Sequence, residues 1–309
     1  MAMDYKRKAQ LVHVSKRIAI YMILTCLAYV VVYPLFARIM YSFMSETDLN
    51  DDSVRLFAKN FTWENYKTAI DHMGYWSGLL RCVWESLLLS FLQLISVTLI
   101  SYGIARFQFP GRGLLFVIAI LTLLIPKQIM FIPLYFQFKD FNILGLLGES
   151  GINMLNTAWP MAMQALCGLG IQSGLLIFML RQYFAGFPKE LEEAAYIDGA
   201  GPYGTFFRIV LPSATTMLVT SFLFSFVWYW TDSFNRTVYM PSGAYLQKQV
   251  MIIYDSIASS MAQTNSINIF ERSLINNAAI LLFILPLVGV FMFCQRYFIE
   301  SVERTGIVG

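Results

Sequence analysis

Glu190, Glu192, Glu193 and Asp198 crowd one short stretch and, with Lys189 and Arg208, make a dense polar island in an apolar sequence. Carboxylates can exchange protons with a substrate, ligate a cation, or read a partner's surface. Proton transfer asks for a second titrating group across a cleft, and the chain has only two histidines, His13 and His72, both distant in sequence. Metal ligation finds no support either: Cys26, Cys82, Cys167 and Cys294 are scattered, with no CxxC and no metal spacing. No GxxxxGK[ST] occurs, so the chain carries no phosphate-binding loop and is not expected to hydrolyse nucleotide itself. Recognition remains. Ala194 and Ala195 stand among the acids, and small side chains let another surface approach closely.

Two further groups could contact a ligand. Lys127 and Gln128 lie inside an apolar run, where a cation costs about 2.5–3.5 kcal/mol at mid-bilayer and usually faces a cavity or a partner. Lys127 either lines a polar pathway, drawing an anionic group or a hydroxyl, or serves structure by pairing with Glu85 or Asp232 or by snorkelling outward. The run WYWTDSFN, Trp228–Asn235, offers Trp228 and Trp230 for stacking on the faces of a ligand ring, with Asp232 and Asn235 for hydroxyls. The same aromatics also suit an interfacial belt. The polar stretch Phe234–Arg272 reads on its residues as a plain exposed loop.

The elements that must position these groups are membrane helices. The 309 residues are 57% hydrophobic and 13% charged, against about 45–50% apolar and 25% charged in soluble domains. A net charge of +3 is too small to suggest a nucleic-acid partner. Spanning a bilayer takes about 20 apolar residues in one helix. Hydropathy predicts six spans: Ile18–Phe43, Trp84–Ala105, Leu114–Phe136, Thr157–Leu180, Ser213–Thr231 and Leu274–Cys294. The first follows Lys6, Arg7, Lys8, Lys16 and Arg17 but lacks a small-residue cleavage site, so it reads as a retained helix rather than a signal peptide.

Basic residues mark the cytoplasmic side. With the N-terminus inside, that side also holds Arg106, Arg112, Arg181, Lys189, Arg208, Arg296 and Arg304, and the first outer segment is acidic, with Glu46, Asp48, Asp51, Asp52, Glu64 and Asp71. The predicted organisation is therefore all-α: a cytoplasmic N-terminus (1–17), a first transmembrane helix (18–43) and an external loop (44–83). A five-helix core (84–300) follows, with a cytoplasmic element at 185–212, and then a cytoplasmic tail (301–309).

Within that element the spacing predicts two helices. Pro188 suits a first helical position, and the acids favour the positive end of the helix dipole. Leu191, Ala194, Ala195 and Asp198 share one face, and Gly199 stands where a left-handed stop belongs. A second helix restarts at Gly201-Pro202, with Tyr203, Phe206, Phe207 and Val210 as its apolar stripe, and Leu211-Pro212 ends it. The residues alone fit either an amphipathic connector or a docking knob.

Glu193-Ala194-Ala195, then Gly199, then Ile209-x-Leu211-Pro212 matches E-A-A-x(3)-G-x(9)-I-x-L-P, the EAA motif, without departure. On this motif the chain resembles the permease subunits of binding-protein-dependent ABC importers, in the carbohydrate-uptake, maltose-type branch. The flank RQYFAGFPKELEEAAYIDGAG, SYGIARFQFPGRGLLF (Ser101–Phe116), LLIPKQIMFIPLY (Leu123–Tyr135) and the tail from Gln295 carry the likeness over nearly all the chain after Phe61. The resemblance implies a type I importer permease with no catalytic residues, multi-pass in the cytoplasmic membrane. It implies a second permease, two ATPase subunits that bind and hydrolyse ATP with Mg, an external solute-binding protein and a sugar cargo. Glu193, Ala194, Ala195, Asp198 and Gly199 would form the coupling helix, with Glu193 contacting the ATPase, and the outer segment Phe234–Arg272 would reach into the solute-binding protein. Lys127 departs from the small residue such sequences carry, and leaves open an acidic oligosaccharide or polyol phosphate. An ion-coupled secondary transporter would instead require broken helices about a midplane ion site. A membrane enzyme would require a nucleophile motif or suitably spaced carboxylates, and neither is found.

Overall fold

The structure, a computed structural model, describes residues 2–49, 51–142, 145, 151–243, 245–262 and 269–306. Its helices in chain order are α1 (Ala2–Ser42), α2 (Glu46–Leu49), α3 (Glu64–Met73), α4 (Tyr75–Arg106), α5 (Arg112–Leu124), α6 (Lys127–Lys139), α7 (Trp159–Leu166) and α8 (Ser173–Gly186). Then come α9 (Lys189–Ile197), α10 (Pro202–Thr205), a π-helical turn (Phe206–Val210), α11 (Leu211–Ser213), α12 (Thr215–Thr231), α13 (Phe234–Tyr239), α14 (Leu246–Ala262) and α15 (Ile269–Gly306). Among the described residues β-structure is confined to the isolated bridges Met44–Phe61 and Phe141–Ile152. The all-α expectation holds at this level.

Continuity of the spans does not hold. Among the described residues three segments are long and apolar enough to cross a membrane unbroken: His13–Ser42, Tyr75–Arg106 and Arg272–Arg296. Two bent pairs raise the number to five. The predicted third span breaks between α5 and α6 with a 105° turn. Pro126 supplies no amide hydrogen and disfavours helix at the residue before it, so Ile125 is extended at φ −77°, ψ 118°. Pro133, by contrast, stays inside α6. The predicted fourth span is cut between Leu166 and Ser173, where Gly168 (φ 72°) and Gln172 (φ 54°) adopt left-handed backbone. The fifth begins after a 75° bend at Ala214.

The chain forms two compact units, Met1–Gly74 with Ile252–Leu282, and Tyr75–Met251 with Phe283–Gly309. In the first, the segment after α1 is pinned by hydrogen bonds. Asn65 Nδ2 donates to the carbonyls of Ser42 and Met44, and the buried Asp48 carboxylate accepts from the Asn60 backbone N–H and Nδ2. The Phe43 ring stacks on Phe61 at 4.5 Å and meets Trp63 edge-on at 4.9 Å.

The second unit is organised around α4. Its packed face is rich in small polar residues, Ser86, Ser90, Ser96, Thr98 and Ser101, beside Leu89 and Val97. Its exposed face carries Leu87, Leu88, Phe91, Ile95 and Leu99. This is the polarity of a lipid-facing helix, where small residues let backbones approach and hydroxyls bond across the contact. Ser96 Oγ donates to the Ala165 carbonyl at 2.5 Å and Ser101 Oγ to that of Ile177 at 3.1 Å. Gln93, wholly buried, bonds in three directions. Its Nε2 donates to the Ile171 carbonyl (2.7 Å) and Ser173 Oγ (2.8 Å), and its Oε1 accepts from Ser225 Oγ (2.6 Å). One side chain thus joins α4, α8 and α12.

Candidate functional site

Two places in the second unit gather chemistry. The first is α9 with its C-terminal turn. The helix starts at Lys189, one residue after Pro188, with Glu190 and Glu192 in its first turn. It ends in a Schellman cap: Ala200 N–H donates to the Ala195 carbonyl (2.9 Å) and Gly199 N–H to that of Tyr196 (3.1 Å), with Gly199 at φ 82°. This is the left-handed stop the spacing predicts. An added Cβ at Gly199 meets nothing within 4 Å, so glycine is set there by backbone conformation and not by crowding.

The inward side of α9 consists of Glu192 and Ala195, the latter 4% exposed. Glu193, Ala194, Asp198 and Gly199 are exposed, together with Leu191, Tyr196 and Ile197. The four residues predicted to share one face therefore divide, with Ala195 turned into the protein. A cation explains the division. Arg106, at the end of α4, pairs with Glu192 (Nε to Oε1, 3.1 Å), donates from Nη2 to the Phe187 carbonyl (2.5 Å) and lies over the Phe187 ring. The following stripe divides too. Phe206 and Val210 are buried, whereas Tyr203 and Phe207 are exposed, because a π-helical turn shifts the phase after Thr205.

The second place is a cavity of about 490 Å³ at the helix breaks. Its wall comes from the α5–α6 corner (Thr122, Pro126, Phe131), from Gln164 of α7, from the α7–α8 connection (Gly170, Gln172) with Ser173, and from the end of α12 onward (Tyr229, Asp232, Phe234, Asn235, Tyr239). Phe131 and Phe234 meet edge-on at 6.0 Å. Gln164 Nε2 donates to Tyr239 Oη (3.1 Å), and burial pushes the Tyr239 phenol up from its ordinary value, so it stays a neutral hydroxyl. Asp232 accepts from the Asn235 backbone N–H (3.2 Å) and Nδ2 (2.8 Å), which fixes both side chains at the rim of the wall. The volume suits one or two sugar rings, and aromatic edges beside amides and hydroxyls suit polyols.

Of the residues sequence chemistry singles out for a pathway, Asp232 and Asn235 line this cavity. Trp228 stacks instead on Phe224 at 5.7 Å, and Trp230 is wholly buried, its Nε1 donating to the Phe283 carbonyl (3.2 Å). The side chains of Lys127 and Gln128 lie outside the described residues. Their backbone opens α6, directly after the lining residue Pro126. Glu85, one partner considered for Lys127, is engaged elsewhere: Arg81 Nε donates to its Oε1 at 2.9 Å, and the buried Arg236 holds its Oε2. Sequence reasoning missed Gln93, Gln164, Gln172 and Tyr229. The signal was present, since Gln93 and Gln164 are amides within predicted spans and intramembrane polar groups face partners or cavities.

Residues 95–304 match the family described as "Binding-protein-dependent transport system inner membrane component". The arabinooligosaccharides transport system permease protein AraQ of Halalkalibacterium halodurans is 28% identical over 286 residues, 92% of this chain and 93% of that one. The polygalacturonan/rhamnogalacturonan transport system permease protein YtcP of Bacillus subtilis is 25% identical over 295 residues, 94% and 97% of the two chains. Among solved structures, a chain of a bacterial ABC transporter involved in the import of the acidic polysaccharide alginate superposes with a TM-score of 0.71. That chain is 20% identical, over 91% of this chain and 95% of its own, and it establishes the fold. The chain belongs to the family of binding-protein-dependent transport system inner membrane components.

Proposed function

From that membership we propose that the chain is one permease of an ATP-driven importer, crossing the cytoplasmic membrane six times with both ends inside. In this assignment α7 and α8 together make one span, as α5 and α6 do, and the chain divides at the boundaries hydropathy and charge give it. A second permease completes the pathway, two ATPase subunits bind and hydrolyse ATP with Mg, and an external solute-binding protein delivers the cargo. This chain performs no catalysis and holds no cofactor of its own. The observation that carries the assignment is the split of α9, which turns Glu192 and Ala195 inward and presents Glu193, Ala194 and Asp198, ending in the Gly199 cap. A short rigid helix held by one face and offering an acid and a small residue on the other has the form of a docking element. Nucleotide-driven closure of the ATPases then shifts the permease between two states, because the docked helix favours one of them.

The cargo is a sugar or oligosaccharide, in keeping with the named transport of the relatives, and the cavity is a segment of its path. Asp232 is the charged side chain of its described wall, among amides, hydroxyls and aromatics, which favours a neutral polyhydroxylated ligand over an anion. Glu193→Lys and Gly199→Asp test the docking assignment. Each is expected to abolish binding-protein-dependent uptake while the chain stays inserted. Unchanged uptake with both variants contradicts it. Competition of uptake by neutral against uronate oligosaccharides tests the cargo, with stronger competition by uronates as the contrary result.

A further inference from the structure

Docking of α9 moves nothing unless α9 is fastened to a helix that runs through the membrane. The described contacts show one such polar fastening. Arg106 closes α4, and its guanidinium reaches the α9 side chain of Glu192 and the carbonyl of Phe187 in the α8–α9 linker, with side-chain exposures of only 9% for Arg106 and 12% for Glu192. One turn earlier on α4, Tyr102 packs against Phe206 of the π-helical turn at 4.6 Å and against Phe184 of α8 at 5.5 Å. The whole cytoplasmic element is thus held to the last turns of α4, by an ion pair on one side of Arg106 and an aromatic contact below it.

From there α4 is continuous. Its 32 residues, about 48 Å of helix, contain no proline, whereas the α5–α6 and α7–α8 segments are broken. Midway stands Gln93, bonded to Ile171 and Ser173, which line the cavity at the α7–α8 break, and to Ser225 of α12. Near the other end Glu85 holds Arg236 of α13, which directly follows Asn235 and stands four residues after Asp232. A displacement of α4 along its axis acts on the cavity wall at both of these points.

We propose that Arg106 is the positioning residue that fastens the docking helix to α4, so that α4 is the rod carrying movement of α9 to the cavity. The proposal rests on the docking assignment of α9 but adds to it a definite route and a definite pair. A coupling measurement on the pair tests that route directly.

The test uses the complete complex with its ATPase subunits in lipid nanodiscs, with Mg-ATP and vanadate as the only ligands, so no cargo is needed. A chain with Cys26, Cys167 and Cys294 replaced by Ser carries Asn235→Cys on the cavity wall, and its reaction rate with a water-soluble maleimide reports the state of the cavity. Coupling energies between sites correspond to about 5–150-fold, so trapping is expected to change the parent's rate at least about fivefold. Arg106→Glu is expected to shrink that change below about twofold, with the ATPases still co-purifying and still hydrolysing ATP, and the exchanged pair Arg106→Glu/Glu192→Arg to restore it. Glu192→Gln, which keeps shape and insertion, falls between. A full response in Arg106→Glu overturns the proposal, as does Glu192→Gln at the parent's level with no rescue by the exchanged pair. Loss of the ATPases from Arg106→Glu also overturns it, by making Arg106 part of the docking surface. Glu193→Lys separates the two claims: if it retains the ATPases and the response, the docking assignment fails, and if it sheds them while Arg106→Glu responds fully, only the rod fails.

Discussion

Gly170→Ala is the sharpest perturbation of the cavity wall. A Cβ at this position stands 2.5 Å from Tyr229 Oη and 3.2 Å from the Gln93 amide. Neither neighbour yields cheaply. Tyr229 is 2% exposed, and Gln93 is fully buried and held by three hydrogen bonds. Overpacking a closed site costs about 1–3 kcal/mol, and each Gln93 bond displaced adds about 1 kcal/mol. For a chain of this size that corresponds to a fall of about 2–10 °C in the unfolding midpoint. Purified protein in detergent, followed by thiol-reactive dye fluorescence on heating, reads the shift. Tyr229→Phe removes the nearest atom, so the double variant Gly170→Ala/Tyr229→Phe is expected to regain most of the loss. A midpoint unchanged by Gly170→Ala, or a double variant less stable than the single, refutes the packing argument.

Other expectations follow from the same contacts. Gly174→Ala places a Cβ 2.3 Å from the Ala119 carbonyl and must part α5 from α8, whereas Gly186→Ala meets nothing within 4 Å. Thermal melts are expected to fall for the first, by about 1–3 kcal/mol, and to rise by up to about 1 kcal/mol for the second. Glu85→Gln leaves the buried Arg236 without its counter-charge and is expected to cost about 3–5 kcal/mol, while Glu85→Gln/Arg236→Met costs less; melts or yields of inserted protein decide, and equal losses refute the ion-pair account. Asp51 accepts from Lys59 Nζ at 2.7 Å and from Ser53, and the Lys59 bond holds its carboxyl well below the usual carboxylate range. Its stabilisation is then complete above the ordinary carboxylate value of about 4 and is lost only as pH falls through the lower folded value. Hydrogen exchange over residues 51–60, corrected for intrinsic rate, is expected to be flat from pH 8 to about 5. A rise within that range contradicts it.

Much of α9 was legible because its determinants are local. Pro188 precedes its first residue, the acids fill its first turn, and Gly199 supplies the left-handed cap. What sequence could not supply is which face points inward. That is decided by Arg106, a cation from another helix, which draws Glu192 in and leaves Ala194 out. Periodicity also misplaced Tyr203 and Phe207, since a π-helical turn breaks the 3.6-residue phase on which it relies. Hydropathy found the apolar stretches and missed their breaks, because a window average barely registers one proline at 126 or glycines at 168 and 170. It missed the core as well. On α4 the serines face in around Leu89 and Val97, while Leu87, Leu88, Phe91, Ile95 and Leu99 face out, so most of the apolar spacing marks the side that meets lipid or another chain. Asp232 and Asn235 reached the cavity wall as the chemistry of their side chains suggests. Trp228 and Trp230 did not, since Trp228 stacks on Phe224 and the Trp230 indole N–H finds its partner in the Phe283 carbonyl.

The central claim is that the outward side of α9 receives the ATPase. A photoreactive benzoylphenylalanine placed at Ala194, in the complex assembled with its ATPase subunits, measures this most directly. The account predicts a covalent adduct with the ATPase from position 194 and none from exposed Leu88 on the lipid-facing side of α4. Absence of the adduct at 194 in a complex that still hydrolyses ATP contradicts it.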